Sequence, residues 1–297
     1  MLGHRVWREL HEHMDALAIV RRPYGDYARI GWFEAARVID GVDVASDEAL
    51  ERAFELARPD VVINAVGIVK QRHDASDAIQ SISINALLPH RLAATCGSAG
   101  ARLIHLSTDC VYSGSRGSYS EADVPDARDL YGRSKLLGEV DGEGCLTIRT
   151  SMVGREIGSS RGLIEWFLTR RGETVTGFTG ARFSGLTTAE LSRVIRRVAQ
   201  EYPDLRGVWH VAGEQISKYD LLTMVNRAFR LGTTIVADDA FVCDRTLDAT
   251  RFMNATGYRP PPWSAMIAEL AADPTPYDEW TTQWTSTERD PSTASTS

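Results

Sequence analysis

Hydrophobic and polar positions alternate regularly along the first half of the chain. Four short apolar runs predict β-strands, at 16–21, 60–67, 101–107 and 145–151. Segments with apolar residues at helical spacing lie between them, at 46–58, 76–98 and 129–140. The run at 60–67 is apolar throughout, as expected for a parallel strand buried on both faces. Strand and helix in alternation predict βαβ units, and therefore an α/β fold with a doubly wound parallel (Rossmann-type) sheet.

The alternation loosens after residue 151. Further helices are predicted at 161–171, 187–201, 217–230 and 261–271, and further strands at 174–177, 207–211 and 234–237. Residues 152–273 therefore predict a smaller C-terminal α/β substrate lobe, intertwined with the first domain (1–151). It is expected to pack over the carboxyl edge of the sheet, where such folds bind ligands. Residues 274–297 are rich in Ser, Thr and Pro without apolar periodicity, and predict a disordered tail.

Composition narrows the classes of function. The 297 residues carry a formal net charge of −7 without a basic stripe, which argues against a nucleic-acid-binding protein. The sequence contains no run of about eighteen apolar residues, so no membrane span is predicted. The N-terminus lacks a basic-then-apolar signal, so a cytoplasmic protein is expected. The four cysteines are widely separated, without the spacing of a metal site, and predict buried free thiols.

The sharpest chemical signal is the pair Tyr131 and Lys135 in the segment YGRSKLLGE. Residues four apart share one face of a helix, and a lysine ammonium there favours the phenolate and lowers the pKa of the tyrosine. Such pairs also occur by chance on solvated helix faces. Thr108, in LIHLSTDCVYSG, favours catalysis because a hydroxyl at the carboxyl end of a strand would join the pair. Strand-end turn chemistry is the alternative interpretation of Ser107-Thr108-Asp109.

Four segments, in order along the chain, carry a family resemblance: NAVG, STDCVYSG, YGRSKLLGE and IRTSMVG. Together they resemble the extended short-chain dehydrogenase/reductases, and among these the dTDP-4-dehydrorhamnose reductase-like nucleotide-sugar reductases. The resemblance covers residues 1–271. Thr108, Tyr131 and Lys135 match the family's catalytic trio. Thr108 would hold the substrate carbonyl, Tyr131 would donate a proton, and Lys135 would tune Tyr131 and bind a ribose of the cofactor.

The resemblance also implies which residues contact the cofactor. Asn64 to Val66 match a strand end that lines it, Asn85 matches a supporting helix asparagine, and Asp43 and Val44 match an adenine-side pair. Each of these matches has an alternative interpretation. Asn64 can be a turn residue after a strand, and Asn85 can be a tolerated polar residue within a helix. The segment GVDVAS can be the end of a strand followed by a helix cap. The whole expected set is Met1, Leu2, Arg21, Arg22, Asp43, Val44, Asn64, Ala65, Val66, Asn85, Ser107, Tyr131 and Lys135.

Arg21 and Arg22 bear on the choice of cofactor. They lie at the end of the second strand of the implied fold, where an acidic residue would take the ribose 2′-hydroxyl of NAD. An arginine there accommodates the 2′-phosphate of NADP instead. Since no Asp or Glu follows before Asp26, NADPH is the expected cofactor and NADH the alternative. Solvated surface arginines are the other interpretation of this pair.

The expected partner is a nucleotide-sugar substrate, with no metal, and a homodimer stays open. An arginine can approach the diphosphate of such a substrate, but a solvated charge or a helix-end cation explains each arginine equally well. The residues expected to bind the substrate are Asp109, Cys110, Val111, Arg149, Arg182 and Arg245.

Within this fold the residues favour one reaction. Related 4,6-dehydratases follow the threonine with Asp-Glu, whereas this chain has Asp109-Cys110, and a cysteine is a poor substitute for that acid. A reductase needs only a hydride from the nicotinamide and a proton from Tyr131. The expected function is NADPH-dependent reduction of a nucleotide-linked 4-keto-6-deoxy sugar. A cofactor-retaining nucleotide-sugar epimerase and a catalytically silent NADP-binding partner subunit are the alternatives.

The chain opens MLGHRVWREL, where the family's glycine-rich turn would be ending. Only Met1, Leu2 and Gly3 match that turn, so the first strand and most of the phosphate-binding loop are expected to be absent. A native start about ten residues upstream is the hypothesis, and Gly3 as a simple helix cap is the alternative. Loss of a central strand leaves backbone groups unpaired, and the anion site at the helix is incomplete. Poor cofactor binding is the expected consequence.

Overall fold

The computed structural model describes residues 1–28, 31, 33–69 and 77–288. Helices α1 to α12 are Leu2–His11, Tyr24–Ala28, Asp47–Ala57, Ala78–Ser81, Leu88–Ala99, Leu130–Leu137, Leu163–Leu168, Thr188–Glu201, Lys218–Phe229, Thr250–Thr256, Trp263–Ala272 and Tyr277–Glu288. A π-helical turn, Ile82–Leu87, joins α4 to α5. Strands β1 to β13 are Ala18–Ile19, Val38–Ile39, Val61–Asn64, Arg102–Leu106, Cys145–Arg149, Met152–Val153, Thr174–Phe178, Ala181–Phe183, Leu186–Thr187, Gly207–His210, Ile216–Ser217, Thr234–Asp238 and Cys243–Asp244.

A sheet of four parallel strands, in the order β10-β5-β4-β3, forms the centre of the molecule. Helices α1 and α8 bury their apolar faces against one side of it, and α3 and α5 cover the other side. This confirms the predicted α/β fold with helices on both faces. Strands β1 and β2 pair in parallel in a sheet of their own. Among the residues described, no strand pairs with the outer edge of β3.

Two helices near the site begin at residues suited to cap them. The Ser46 side chain accepts a hydrogen bond from the Ala49 amide at 3.2 Å and caps the start of α3. Asp129 does the same for α6, accepting from the Gly132 amide at 2.8 Å. These caps satisfy amides that a helix leaves unpaired in its first turn. The cap at Asp129 fixes where Tyr131 lies in the first turn of α6.

The chain after residue 151 builds both the lobe and part of the central sheet. Strands β11, β8 and β13 form one sheet of the lobe, and β12 pairs with β7 in another. The sequence pattern groups the run at 207–211 with the lobe strands, but β10 pairs with β5 and extends the central sheet. Its Trp209 joins the same apolar core as Val194 and Val198 of α8, which precedes it in the chain.

The C-terminal segment is ordered further than predicted. Residues 277–288 form helix α12, so the expectation of a disordered tail from 274 is wrong for them, and residues 289–297 lie outside the described residues. Tyr277 is 2% exposed and its hydroxyl lies 3.1 Å from the His4 ring nitrogen of α1. Arg5 forms an ion pair with Asp273 at 2.6 Å. These contacts bury part of the segment, although its weakly periodic sequence does not predict a packed helix.

Helix α6 ends in close contact with the π-helical turn, at Gly138. A Cβ at Gly138 would overlap the backbone carbonyl oxygen of Asn85. In contrast, a Cβ at Gly97, inside α5, would meet no atom within 4 Å. Gly138 is therefore required by the packing, while Gly97 is a helix position that tolerates alanine.

We expect Gly138→Ala to lower the free energy of unfolding by about 1–3 kcal/mol, the usual cost of overpacking. The matched variant Gly97→Ala is expected to raise it by about 0.5–1 kcal/mol, because alanine loses less backbone entropy in a helix. Denaturant unfolding measures both. Equal effects of the two substitutions would show that α6 is not closely packed at this end.

Candidate active site

The carboxyl ends of β3 and β4 meet at one edge of the central sheet and carry the first candidate residues. Asn64, at the end of β3, lies opposite His105 of β4. Ser107 and Thr108 follow β4 directly. The Thr108 hydroxyl accepts a hydrogen bond from the Cys110 amide at 3.1 Å and caps a single 3-10 turn. The segment therefore forms the strand-end turn, and it also places the Thr108 side chain at the sheet edge.

Helix α6 brings Tyr131 and Lys135 to the same place. Gly132 packs against the loop after β4 so closely that a Cβ there would overlap the Cys110 carbonyl oxygen. Tyr131 consequently lies beside Thr108, close enough for the Thr108 side chain to affect its pKa. Lys135, one helical turn later, reaches the end of β4, where its ammonium donates to the Leu106 carbonyl oxygen at 2.6 Å. The structure thus assembles the three predicted catalytic side chains.

Burial controls the protonation of Tyr131. Removal from water raises the pKa of its hydroxyl, the neighbouring Cys110 raises it further, and the nearby Thr108 side chain opposes the shift. The role expected of Lys135, to lower the pKa of Tyr131, stays a prediction, because burial determines the net shift here. The Lys135 ammonium itself donates to the Leu106 carbonyl oxygen. Tyr131 holds its proton at neutral pH.

Lys135 is shifted in the opposite direction by the same cause. Its side chain is buried, and desolvation lowers the pKa of its amine to about 8, with Glu139 opposing the shift. A buried ammonium with few donors satisfied is less stable than one in water. Lys135 is therefore close to titration in the neutral range.

Asn85 ties the loop after β3 to helix α6. Its side-chain oxygen accepts from the Ile68 amide at 2.9 Å, and its amide group donates to the Ile68 carbonyl at 3.0 Å and to the Ser134 hydroxyl at 3.3 Å. Asn85 is buried within the π-helical turn, a distortion that often occurs at functional sites. The role expected of it, support of the site, stays a prediction that this geometry accommodates.

Several residues expected at the cofactor lie at or near the surface. Val66, just after β3, is 43% exposed. Just after β1, Arg21 is exposed and Arg22 is half-buried. Asp43 closes a turn before α3, accepting from the Ala45 amide at 3.1 Å, and Val44 packs against the core under α3. The Ser46 cap agrees with the helix-cap part of the alternative interpretation of GVDVAS, whereas the strand β2 already ends at Ile39.

The side chains of Leu2 and Val111 are not available to a ligand. Leu2, expected at the cofactor, lies in the main core because it falls on the apolar face of α1. Val111, expected at the substrate, is fully buried with Tyr112 and Leu247 under the strand-end loop. Both expectations are corrected for the side chains. Met1, at the start of α1, lies near the carboxylates of Glu156 and Glu165.

Arg149 is a structural residue and not the substrate contact expected of it. It is 5% exposed, and its guanidinium donates to both carboxylate oxygens of Glu139, at 2.8 and 2.7 Å, and to the Tyr112 hydroxyl at 2.7 Å. The Ser107 hydroxyl donates to the same Glu139 carboxylate at 2.7 Å. Sequence reasoning missed Glu139, although it closes the YGRSKLLGE segment. Only the fold reveals its partner, which lies ten residues further on in β5.

On the lobe side, Arg245 lies next to the predicted substrate residues. Its guanidinium donates to the Tyr112 carbonyl oxygen at 2.9 Å, and the nearby Cys110 and Asp109 raise its pKa. Burial raises the pKa of the Asp109 carboxyl, and Arg245 opposes that shift. Arg182 is exposed on β8, and its carbonyl oxygen accepts from the Arg245 amide at 3.0 Å. The structure therefore groups Asp109, Cys110 and Arg245, with Arg182 on the neighbouring strand.

A sequence profile described as the RmlD substrate binding domain matches residues 1–273 of this chain. The chain belongs to this family. The match includes every residue of the candidate site and ends just before helix α12. The fold and the family thus agree with the nucleotide-sugar reductase resemblance of the sequence motifs.

Individual relatives of this RmlD-family chain are distant. The dTDP-4-dehydrorhamnose reductase of Burkholderia thailandensis is 34% identical over 145 residues, which cover 43% of this chain and about half (48%) of that protein. The methionine adenosyltransferase 2 subunit beta of Rattus norvegicus is 24% identical over 71% of this chain and 69% of its own length. A dTDP-4-dehydrorhamnose reductase of Bacillus anthracis, solved in complex with NADP, superposes with a TM-score of 0.69 at 17% identity, over 85% of this chain and 97% of that one.

Within residues 1–28, 31, 33–69 and 77–288, no helix has the length and apolarity to cross a membrane. In the same ranges, no three His, Cys, Asp or Glu side chains come together as metal ligands would.

The pair Arg149 and Glu139 makes a testable contribution to stability. We expect Arg149→Met to lower the free energy of unfolding by about 3–5 kcal/mol, because Glu139 would stay buried without its partner. Arg182→Met, at an exposed arginine, is expected to change it by less than about 0.5 kcal/mol. Denaturant unfolding compares them. If Arg149→Met costs no more than Arg182→Met, Glu139 is not held by this ion pair.

Proposed function

We propose that this chain is an NADPH-dependent reductase of a nucleotide-linked 4-keto-6-deoxy sugar, similar to the dTDP-4-dehydrorhamnose reductases. The observation that carries the proposal is the assembly of Thr108, Tyr131 and Lys135 at the carboxyl edge of the central sheet. Membership of the RmlD family and the similarity to the Burkholderia reductase support it. Ligands bind at this edge in open α/β folds.

The protonation of Tyr131 suits reduction. Burial keeps its hydroxyl protonated, so it can donate a proton to the alkoxide that forms when a carbonyl is reduced. The Thr108 hydroxyl, beside it, is placed to hold the carbonyl oxygen. The Lys135 ammonium supplies positive charge next to the same oxygen and stabilises the phenolate left behind. NADPH, when bound, supplies the hydride.

The residues at the sheet edge fit such a cofactor in character. Val66 presents exposed apolar surface after β3, whereas the Ser107 hydroxyl after β4 is buried and donates to Glu139. Arg21 and Arg22 follow β1, where a 2′-phosphate would be recognised. The planar guanidinium of an arginine can donate two hydrogen bonds to one phosphate group. Arg21 and Arg22 are therefore the reason for proposing NADPH before NADH.

The substrate is proposed to lie between the site and the lobe. Arg245 and Arg182, on adjacent strand ends, offer positive charge to a diphosphate. Asp109 and Cys110 line the side nearer to Tyr131. This arrangement accommodates a sugar whose keto carbon faces Tyr131.

A non-catalytic role is the second candidate. The rat relative, which is similar over 71% of this chain, is named as a subunit of methionine adenosyltransferase. A chain that binds NADPH but oxidises none with any nucleotide-linked keto sugar would favour this candidate. An epimerase, by contrast, would convert the sugar without net consumption of NADPH.

We expect Tyr131→Phe to lower kcat for NADPH oxidation about 10²–10⁴-fold, because the proton donor is removed. The dissociation constant for NADPH, measured by fluorescence, is expected to stay within about threefold of the wild type. Tyr219→Phe, on α9, serves as the matched control with unchanged turnover. Undiminished turnover of Tyr131→Phe would contradict the proposed mechanism.

We expect the double variant Arg21→Ala/Arg22→Ala to raise the KM for NADPH by about 10-fold or more, since a charge-assisted contact to the 2′-phosphate is lost. The KM for NADH, which has no 2′-phosphate, is the internal control and is expected to stay unchanged. Steady-state kinetics with both cofactors measures the difference. Parallel changes for NADPH and NADH would show that these arginines do not recognise the phosphate.

A further inference from the structure

His105 is a fully buried side chain directly beneath the candidate site, and the proposed reaction does not use it. It lies on β4 between Asn64 of β3 and Lys135 of α6. Its ring Nδ1 lies 3.1 Å from the Asn64 side-chain nitrogen, and its Nε2 lies 3.5 Å from the Lys135 ammonium nitrogen. The three side chains therefore form a line that leads from the sheet to the catalytic lysine.

The orientation of Asn64 determines which ring nitrogen of His105 carries the proton. The Asn64 side-chain oxygen accepts from the Val66 amide at 3.1 Å, so the Asn64 nitrogen must face His105. A side-chain amide nitrogen is only a donor. Nδ1 of His105 must therefore accept, and in a neutral imidazole the proton then resides on Nε2. Burial and the adjacent Lys135 charge lower the pKa of His105 well below its ordinary range, which keeps the ring neutral.

The Nε2–H group of His105 consequently faces Lys135. An ammonium has three donors and no acceptor, so it cannot accept from Nε2–H, whereas a neutral amine has a lone pair that can. The Lys135 nitrogen still donates to the Leu106 carbonyl oxygen at 2.6 Å in either state. We propose that Asn64 and His105 form a hydrogen-bonded chain that presents Nε2–H to Lys135 and thereby favours its neutral amine. His105 is then a positioning residue that acts through Lys135.

Other groups around Lys135 also influence whether its amine is charged. Glu139, four residues along the chain from Lys135, favours the ammonium, and burial favours the amine more strongly. Tyr131 stays neutral because burial raises its pKa. His90, on α5, contributes to lowering the pKa of His105. The ring Nε2 of His90 lies 2.7 Å from the Leu137 carbonyl oxygen. Asn85, from the π-helical turn, is uncharged.

The catalytic consequence rests on the proposed function. The ammonium beside Tyr131 would be lost as the pH rises past about 8, so turnover would fall on that alkaline side. Replacement of the Nε2–H donor would move this fall to higher pH. The protonation of Lys135 can be measured without any substrate, and so separately from the proposed function.

The sequence allows a direct measurement, since the chain has only three lysines: Lys70, Lys135 and Lys218. We would label lysine Cε with ¹³C, follow the three NMR signals through a pH titration of the full chain, and assign Lys135 with Lys135→Met. The wild-type Lys135 signal is expected to titrate near pH 8. Two variants of His105 separate its two contacts. His105→Asn keeps an acceptor for Asn64 but leaves no donor at the place of Nε2, because its shorter amide does not extend to Lys135. His105→Gln keeps a donor at the place of Nε2.

We expect His105→Asn to raise the Lys135 midpoint by about one pH unit or more, toward the ordinary value of about 10.4. His105→Gln is expected to leave it near the wild-type midpoint. In the pH profile of NADPH oxidation, the alkaline fall should move in the same order. A Lys135 midpoint unchanged in His105→Asn, or near 10.4 already in the wild type, would overturn the proposal. Absence of turnover in all forms would contradict the proposed function and leave the NMR result decisive.

A measurement on the wild type covers the case in which the variants do not fold. Two-bond ¹H–¹⁵N spectra of ¹⁵N-histidine protein distinguish the two ring tautomers, and the chain has seven histidines to assign. The proposal requires the Nε2–H tautomer at His105 across the neutral range. The Nδ1–H tautomer, or a charged ring, would overturn it.

Discussion

Helix α6 packs so closely against its neighbours that a side chain is excluded at Gly132, within the helix, and at Gly138, the residue that follows it. Gly132 contacts the loop after β4 and Gly138 contacts the π-helical turn, in both cases against a backbone carbonyl oxygen. The amide of Asn85 and the ion pair between Arg149 and Glu139 hold the helix in this position. The placement of Tyr131 beside Thr108, and of Lys135 against the end of β4, depends on this contact. A protein interior packed at crystal density has little room to adjust if it is disturbed.

The same close packing sets the protonation of the site. Burial disfavours charge, so it raises the pKa of Tyr131 and lowers that of Lys135, and both groups are pushed toward their neutral forms. The nearby charges of Glu139 and Arg149 are tolerated because they neutralise one another at hydrogen-bond distance. The site therefore combines a tyrosine that keeps its proton with a lysine that releases one easily.

The βαβ alternation and the Tyr131/Lys135 spacing predicted most of the central fold and the meeting of Tyr131 and Lys135 with Thr108, because both are local patterns. Three features were not predictable in that way. Arg149 was expected at the substrate because sequence gives no sign that Glu139 would lie opposite it in the fold. Val111 was expected there because it adjoins Asp109, yet the 3-10 turn directs it into the core. Helix α12 depends on contacts with α1, more than 260 residues away in the chain, as in the pair His4 and Tyr277. The cofactor and substrate contacts stay predictions.

We propose that this edge of the sheet performs hydride transfer to a keto sugar, with Tyr131 as the proton source. The most direct test is the reaction of the full chain with NADPH deuterated at nicotinamide C4 and a nucleotide-linked 4-keto-6-deoxy sugar, followed by mass spectrometry and NMR of the sugar. We expect one deuterium at the reduced carbon of the product for each deuteride-bearing NADPH consumed. Conversion of the sugar without deuterium in it, or binding of NADPH without any product, would contradict this reaction.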